Sequence, residues 1–171
     1  SGTGHNERIV GKALRNVRQN IVLATKLFLD RSEVRRDGSA YHAVRCHLEA
    51  SMERLQTDMV DLYYLHRTSG GVSVEEVAEA MGLLIEDGLI RGWGLSQVDV
   101  DMIDRAQRVT PLTAIQNIYS MVERDVEAGV IPYCMEHGIG FVPFSPIASG
   151  LLSGKITTET KFERNDDVRN W

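Results

Sequence analysis

The sequence predicts an α/β fold built on a parallel sheet. Short apolar runs of about five to seven residues alternate with segments whose apolar residues recur every three or four positions, and no hairpin turn joins the runs. Five such runs occur, as in successive βαβ units. The chain has 171 residues, whereas a complete (β/α)₈ barrel needs roughly 250. One domain is therefore expected, either a doubly wound open sheet or part of a barrel.

The first half of the chain alternates helix, strand, helix and strand patterns. Residues 6–17 carry one apolar helical stripe, with Asn6 as the predicted N-cap. Residues 21–26, IVLATK, are rich in β-branched side chains and too short for a helix, so a buried strand is predicted there. A helical spacing over residues 39–58 then leads directly into the strand DLYYLHR, residues 61–67.

The second half continues with three more helices and three more strands. Residues 72–90 carry an apolar helical face that ends at Gly88, a residue type that commonly follows a helix. The strand at residues 90–96 contains Gly92 and Gly94, where another backbone or a ligand can approach closely. The remaining predicted elements are a helix at 99–109, a strand at 113–119, a helix at 123–138 and a strand at 139–146.

Charge and composition exclude several classes of function. The net charge is -5, the pI is near 5.5, and the basic residues are scattered, which argues against a nucleic-acid or anionic-membrane surface. No apolar run approaches the roughly 18 residues that span a bilayer, and the first residues lack the apolar core of a signal peptide. A cytoplasmic protein that does not insert into membranes is expected.

The two cysteines do not indicate a disulfide framework or a structural metal site. Cys46 and Cys134 lie far apart in the sequence and have no CxxC spacing, so both are expected to be buried or half-buried free thiols. His42 and Cys46 have the i, i+4 spacing of two metal ligands on one helix, but no further ligand accompanies them. No metal is predicted.

Polar side chains stand where each of the five predicted strands ends. In both candidate architectures the carboxyl ends of the strands meet at one edge, where active sites lie. A single Lys or His at a strand end is usually a solvent contact, but five consecutive polar strand ends favour a functional site. The residues are Lys26, His66, Ser96 with Gln97, Gln116 with Asn117, and the run FSPIASGLLSGK from Phe144.

These residue types suit a carbonyl compound and a nicotinamide. A lysine ammonium lowers the pKa of a neighbouring acid, and a histidine can donate to a carbonyl oxygen, so Lys26 and His66 suit carbonyl polarisation. Ser and Gln side chains match the donors and acceptors of a carboxamide, and Phe144 can stack on an aromatic ring. The small residues of the final loop, together with Lys155, suit a diphosphate.

Several motifs in order resemble the aldo-keto reductase family, most closely its branch of potassium-channel beta subunits and bacterial general-stress reductases. They are GTGHNERIVGKAL, IVLATK, DLYYLHR, LIRGWGLS, QNIYSMVERDVE and VPFSPIASGLLSGK, and the likeness runs from residue 2 to about residue 169. The resemblance implies that residues 1–171 form a single partial (β/α)₈-barrel domain of the TIM type, holding about strands three to seven of eight. It also implies NADPH bound without a Rossmann motif and the reduction of small-molecule aldehydes or ketones.

The resemblance carries over only part of the family's catalytic tetrad of Asp, Tyr, Lys and His. Lys26 falls on the lysine and His66 on the histidine. The tyrosine position, just before the first glycine of the GTGHNE segment, is Ser1, and the aspartate position lies upstream of it. The chain alone is therefore expected to be inactive or nearly so.

The cofactor positions carry over more fully. Ser96 and Gln116 match positions that hold the nicotinamide carboxamide, Gln97 occupies a neighbouring position, and Phe144 matches the aromatic residue that stacks on the nicotinamide ring. The loop that folds over the cofactor diphosphate is matched by Ser145, Pro146, Ile147, Ser149, Gly150 and Lys155.

Two other functional hypotheses stay open. The likeness to channel beta subunits permits an NADPH-binding regulatory or interaction module in which turnover is unimportant, and a truncated chain with neither role is a third possibility. An open five-stranded sheet also exposes two unpaired edges, which favours self-association between chains.

Overall fold

The computed structural model describes residues 4–162. Its centre is one sheet of five strands in the order β1-β2-β3-β4-β5, with every neighbouring pair parallel. Ser1 and the charge-rich end of the chain lie outside the described residues. The strands are β1 Ala24–Leu27, β2 Val60–Leu65, β3 Ile90–Ser96, β4 Ala114–Gln116 and β5 Gly140–Phe141.

The strand order decides between the two architectures that the sequence left open. A doubly wound sheet reverses direction at a switch point, where strands that are adjacent in the chain lie apart in the sheet. Here the spatial order is the chain order throughout, so each unit advances the sheet in the same direction. That is the winding of a (β/α) barrel, and β1 and β5 are the two ends of an incomplete one.

Helices connect the strands, and polar side chains cap several of them. The Ser73 hydroxyl accepts from the Glu76 N–H while the Glu76 carboxylate accepts from the Ser73 N–H, a reciprocal capping box. Gly88, at φ +72°, follows the same helix as predicted. The helices are α1 His5–Leu14, α2 Arg31–Asp37, α3 Ala40–Leu55, α4 Val74–Glu86, α5 Val100–Val109 and α6 Val130–His137. Within the described residues, no helix combines the length and the apolar composition needed to cross a membrane.

Strand β2 is buried on both faces, as its apolar sequence predicts. Tyr63 faces the helices and Tyr64 faces the opposite side of the sheet, and both side chains are almost fully excluded from solvent. The neighbouring strand β3 contributes Trp93, which is fully buried and donates its indole N–H to the carbonyl oxygens of Thr110 and Pro111.

Gly92 and Gly94 in β3 allow neighbouring groups to approach the strand closely. A Cβ atom on Gly92 would lie 2.2 Å from the Thr113 Oγ1 atom, and one on Gly94 would lie 2.3 Å from the Ala114 carbonyl oxygen. The same atom on Gly94 would lie 2.6 Å from the Tyr64 ring. The predicted close approach is confirmed, and its partners are protein groups.

Several predicted boundaries were wrong for local reasons. Helix α1 begins at His5 with Gly4 as its N-cap, at φ +61°, so Asn6 lies inside the helix and does not cap it. A 3₁₀ turn at Arg18–Asn20 precedes β1, and the strand starts at Ala24, three residues later than predicted. Helix α2 was not predicted.

The last two predicted elements are also shorter than expected. The expected helix at residues 123–138 is divided at Gly129, whose φ and ψ of -155° and -56° separate a 3₁₀ turn at Asp125–Ala128 from α6. The last strand pairs over only two residues before Pro143, which lacks an N–H, although an isolated bridge joins Ile118 to Phe144.

The cysteine and histidine side chains that were not predicted to bind a metal lie in different surroundings. Cys134 is buried, whereas Cys46 is exposed, so the expected burial was wrong for Cys46. His47 Nε2 lies 2.9 Å from a Glu33 carboxylate oxygen on α2. Within residues 4–162, no group of three or more His, Cys, Asp and Glu side chains is arranged to hold a metal ion.

Candidate active site

Lys26 and His66 line one cavity at the end of the sheet. Lys26 lies in β1, opposite Tyr64 of β2 in the strand register. His66 follows β2 directly, and its N–H donates to the Leu27 carbonyl oxygen at 2.7 Å, which continues the pairing to the strand end. The cavity has a volume of about 840 Å³. The structure therefore brings the two predicted catalytic side chains together.

The charges at this edge favour the neutral form of His66. Burial, followed by the positive charges of Arg67 and Lys26, lowers the pKa of His66. Burial and then Arg67 also lower the pKa of Lys26. A neutral imidazole has one N–H donor and one acceptor, so His66 can donate to a carbonyl oxygen without carrying a charge.

Two tyrosines lie close to this cavity, and neither has the lowered pKa of an activated proton donor. The Lys26 Nζ atom is 5.8 Å from the centroid of the Tyr64 ring, within cation–π range. Burial raises the pKa of Tyr64, and it also raises the pKa of Tyr63, whose buried hydroxyl has no hydrogen-bond partner among residues 4–162. Both phenols are therefore weaker proton donors than an ordinary tyrosine.

The other wall of the cavity lies on the helix side of β1 and is a structural network. The Thr25 hydroxyl donates to a Glu7 carboxylate oxygen at 2.7 Å, and the same carboxylate pairs with Arg54. Arg54 also donates to the Ser51 hydroxyl at 3.1 Å. Burial acts against these hydrogen bonds, but they lower the pKa of Glu7 overall. These polar groups satisfy one another and join α1 to α3 and β1.

Ser96 and Gln116 form the predicted pair for a carboxamide. They stand opposite each other in the register of β3 and β4, at the carboxyl ends of both strands. Ser96 is buried and Gln116 is half-buried. Neither residue lines the cavity of Lys26 and His66; they occupy the next two strand ends along the same edge.

Gln97 and Asn117 have their side-chain groups engaged in the fold. The Gln97 side-chain oxygen accepts from the Ile118 N–H at 3.0 Å, and Gln97 has a left-handed φ of +60°. The Asn117 amide bonds both the N–H and the carbonyl oxygen of Val98. The Gln97 side chain therefore joins the loops after β3 and β4, with one lone pair of its oxygen used by the Ile118 N–H.

Phe144 and the loop after it lie at the far end of the sheet. The Phe144 N–H donates to the Asn117 carbonyl oxygen at 3.0 Å, which holds the aromatic residue beside the end of β4. Ser145, Ser149 and Gly150 then adopt left-handed backbone conformations, with φ of +55°, +53° and +97°. Two N–H groups of this loop are used within it, since those of Ala148 and Gly150 donate to the Ser145 and Ile147 carbonyl oxygens.

The rest of this loop is exposed. Ser149 and Gly150 belong to a 3₁₀ segment at Ala148–Ser153, and the Lys155 N–H donates to the Ser153 hydroxyl at 3.3 Å. Pro146 and Ile147 are exposed, and so is the Lys155 side chain. The loop does not line the cavity of Lys26 and His66.

The comparison with protein families shows which family the chain belongs to. The sequence model of the Aldo/keto reductase family matches residues 2–171. The chain belongs to the aldo/keto reductase family. It is therefore a member of a family of oxidoreductases, as the motifs predict.

Named relatives agree with this membership. Aldo-keto reductase YhdN of Bacillus subtilis (strain 168) is 39% identical over 173 residues, which cover 99% of this chain and 52% of that protein. The structure of the glycerol dehydrogenase AKR11B4 from Gluconobacter oxydans matches 98% of this chain and 53% of that chain, with 31% identity and a TM-score of 0.84. An aldo-keto reductase from Klebsiella pneumoniae, crystallised in complex with NADPH, matches 86% of this chain and 50% of that one, with 30% identity and a TM-score of 0.75.

The aldo/keto reductase chain spans about half the length of these relatives. Its five parallel strands match their barrels, which confirms an incomplete (β/α) barrel.

Arg67, which lies at this edge of the sheet, was not predicted as part of the site. Arg67 donates from a single nitrogen to the His66 carbonyl oxygen at 2.6 Å and to the Ser96 hydroxyl at 3.3 Å. The sequence offered one signal for Arg67, because it is the last residue of the predicted strand DLYYLHR and follows His66 directly. Only the register between β2 and β3 reveals that it reaches Ser96.

Proposed function

We propose that this chain carries part of the site of an NADPH-dependent aldo-keto reductase that reduces aldehydes or ketones. The observation that supports it is the placement of Lys26, His66, Ser96 and Gln116 at the carboxyl ends of four consecutive, neighbouring strands. Two of these positions suit a reacting carbonyl group, and the next two suit a carboxamide.

The carbonyl would bind where Lys26 and His66 line the cavity beside β1. Neutral His66 donates a hydrogen bond to the carbonyl oxygen and fixes its direction, which also polarises the carbon. In a completed site, the Lys26 ammonium would lower the pKa of the family's tyrosine, which would protonate the oxygen as charge develops there. NADPH, when bound, supplies the hydride that reaches the carbonyl carbon.

The residues at β3 and β4 fit the nicotinamide end of the cofactor. The Ser96 hydroxyl and the Gln116 amide offer the donors and acceptors that a carboxamide requires. Phe144 offers a ring face for the nicotinamide. The exposed loop with left-handed residues, followed by Lys155, suits the diphosphate. Gln97 stands at the neighbouring position of this site, with its side-chain oxygen bonded to the Ile118 N–H.

We expect the 171-residue chain by itself to reduce carbonyl compounds weakly or not at all. The family position of the tyrosine is Ser1, and the buried phenols of Tyr63 and Tyr64 have raised pKa values. Losing a general acid typically lowers a rate by about 10²–10⁴-fold.

A second candidate is an NADPH-binding regulatory or interaction module. It is favoured by one contrast: the carboxamide pair is present in the chain, whereas the two tyrosines near Lys26, Tyr63 and Tyr64, have raised pKa values. In that role Ser96 and Gln116 would bind the cofactor, and turnover would not be required.

Joining an upstream segment that carries the family's Asp to this chain, with Ser1→Tyr at the family's tyrosine position, separates the two functions. The reductase proposal expects NADPH-dependent reduction of an aldehyde panel to appear, and Lys26→Met or His66→Gln to remove it. The control Lys12→Met, on exposed α1, leaves the rate unchanged. NADPH binding without any reduction by the completed protein would favour the regulatory module.

We also propose that the chain self-associates. Within residues 4–162, strand β1 is paired only with β2, so its other edge presents backbone groups that no described strand pairs, and apolar side chains lie beside it. Val22 is 80% exposed and Phe28 is 44% exposed. Both features favour pairing with another chain.

A further inference from the structure

Arg67 links the ends of two neighbouring strands through one nitrogen. Its Nη1 atom donates to the His66 carbonyl oxygen at 2.6 Å and to the Ser96 Oγ atom at 3.3 Å. His66 follows β2 and Ser96 ends β3, so the guanidinium spans the gap between the carbonyl-binding and carboxamide-binding positions. Within residues 4–162, no carboxylate forms an ion pair with Arg67.

The contact with Arg67 limits what the Ser96 hydroxyl can do. A hydroxyl has one proton to donate and lone pairs that accept, whereas a guanidinium only donates. The Arg67 N–H therefore occupies a lone pair of Ser96 and leaves the hydroxyl proton for another acceptor. Ser96 is only 2% exposed, so water does not compete freely for that proton.

A carboxamide has two different ends, and this arrangement distinguishes them. Its carbonyl oxygen accepts hydrogen bonds, and its NH₂ group donates them. With one lone pair taken by Arg67 and its proton still to be donated, the Ser96 hydroxyl matches the carbonyl oxygen better than the NH₂ group. The NH₂ group is then left to an acceptor, which the Gln116 side-chain oxygen on the opposite strand can provide.

We propose that Arg67 is a positioning residue that fixes the Ser96 hydroxyl as the donor to the carbonyl oxygen of the nicotinamide carboxamide. The inference rests on the proposed function, because it requires a nicotinamide at this edge. Arg67 acts through Ser96 and does not itself touch the carboxamide.

A second effect of Arg67 can be measured without any cofactor. Its charge lowers the pKa of both His66 and Lys26, after the larger effect of burial. Removing the charge should raise the pKa of His66. A matched control is Arg91→Met, because Arg91 lies in the same sheet, at the start of β3, and its side chain is 73% exposed.

The binding test uses the full chain, titrated with NADPH and with the reduced 3-acetylpyridine analogue, in which a methyl group replaces NH₂. Arg67→Met should weaken both ligands by a similar factor of about 3–10-fold, the worth of one hydrogen bond. In a Ser96→Ala background, Arg67→Met should have no further effect. Arg91→Met should leave both affinities unchanged.

The outcomes are distinguishable. If the unmodified chain binds neither ligand, the proposed function fails and this inference fails with it. If it binds both, but Arg67→Met matches Arg91→Met, only the inference is wrong. An effect of Arg67→Met on NADPH that disappears with the acetylpyridine analogue would mean that Ser96 contacts the NH₂ group, which also overturns it.

An NMR titration of His66 provides a further check on correctly folded variants. The His66 pKa should rise in Arg67→Met and remain unchanged in Arg91→Met. Should Arg67→Met not fold, Arg67→Lys replaces it: the charge is retained but the planar fork is lost, so the His66 pKa stays low while both ligands bind more weakly. Unchanged affinities in folded Arg67→Lys and Ser96→Ala variants would contradict the inference.

Discussion

Ser96 and Gln116 stand opposite each other in the register of β3 and β4. The next residue, Gln97, donates its N–H to the Gln116 carbonyl oxygen at 3.0 Å, which ends the pairing of the two strands. The pair is fixed by strand register and not by a flexible loop. Side chains with donors and acceptors are therefore held at a set separation on a rigid part of the fold. This relationship makes the nicotinamide proposal testable with single substitutions.

Replacing Lys26 should stabilise the chain at neutral pH while it harms the proposed reaction. Its pKa in the folded chain lies below the unfolded value, so the charged form is disfavoured on folding. Stability should rise with pH through the window between the folded pKa and the ordinary value near 10.5. Lys26→Met should therefore raise the melting temperature at pH 7 and flatten this alkaline rise, as measured by circular dichroism.

The exposed Lys12→Met variant is the control for this measurement and should melt like the unmodified chain. A lower melting temperature for Lys26→Met would mean that contacts of the lysine, such as the one with Tyr64, outweigh its desolvation.

His66 should make the chain less stable in mild acid. Because its folded pKa is lowered, the unfolded state binds the proton more readily, and stability should fall as the pH drops below the ordinary value near 6.5. His66→Gln should remove this part of the pH dependence. Urea unfolding at pH 8 and pH 5 measures it, with His42→Gln on α3 as the control. An equal loss of stability in acid for His66→Gln and the unmodified chain would contradict the assignment.

Asp61 should be a strong contributor to stability at the opposite end of β2. One carboxylate oxygen accepts from the Leu23 N–H at 2.9 Å and pairs with Arg18 at 2.8 Å, and the carboxylate is 8% exposed. Burial opposes these contacts, yet they lower the pKa of Asp61 overall. Asp61→Asn should lower the free energy of unfolding by about 1–3 kcal/mol.

The pH dependence of the Asp61 variant provides its own check. Stabilisation by a carboxylate with a lowered pKa is present above the unfolded value near 3.8 and is lost as the pH falls through the folded pKa. The difference between Asp61→Asn and the unmodified chain should therefore shrink in strong acid. Exposed Asp58→Asn is the control, and an equal effect of the two substitutions would refute the role of Asp61.

Self-association through the edge of β1 should depend on protein concentration. Sedimentation velocity should show larger species as the concentration rises, and Val22→Lys should reduce them, because charged side chains oppose pairing at a sheet edge. Leu83→Lys, on the exposed face of α4, should not. A monomer at every concentration up to about 100 μM would rule out this association.

The sequence predicted the elements whose burial determines them and missed those set by local polar contacts. Strand β3 was predicted with its observed bounds, because six of its seven residues are buried. Helix α2 buries only Val34, so it has little apolar periodicity, and a capping box of Asp30 and Glu33 starts it. The Asp-x-x-Glu spacing was a usable signal for that helix.

The candidate site, too, could be predicted from the sequence only in part. Strand ends can be recognised in a sequence, so Lys26, His66, Ser96 and Gln116 could be proposed. The direction of a side chain after a strand end depends on the backbone conformation, which is left-handed at Gln97 and turns its amide toward Ile118. The contact of Arg67 with Ser96 depends on the pairing of two strands, which the local pattern of neither strand specifies.

The most direct measurement is a fluorescence titration of the 171-residue chain with NADPH. Saturable binding is predicted, weakened by about 5–30-fold in Gln116→Leu, which loses hydrogen bonds to the carboxamide, and unchanged in the exposed Gln19→Leu control. No change in nicotinamide fluorescence at millimolar NADPH, or equal affinity in Gln116→Leu and Gln19→Leu, would contradict a nicotinamide site between β3 and β4.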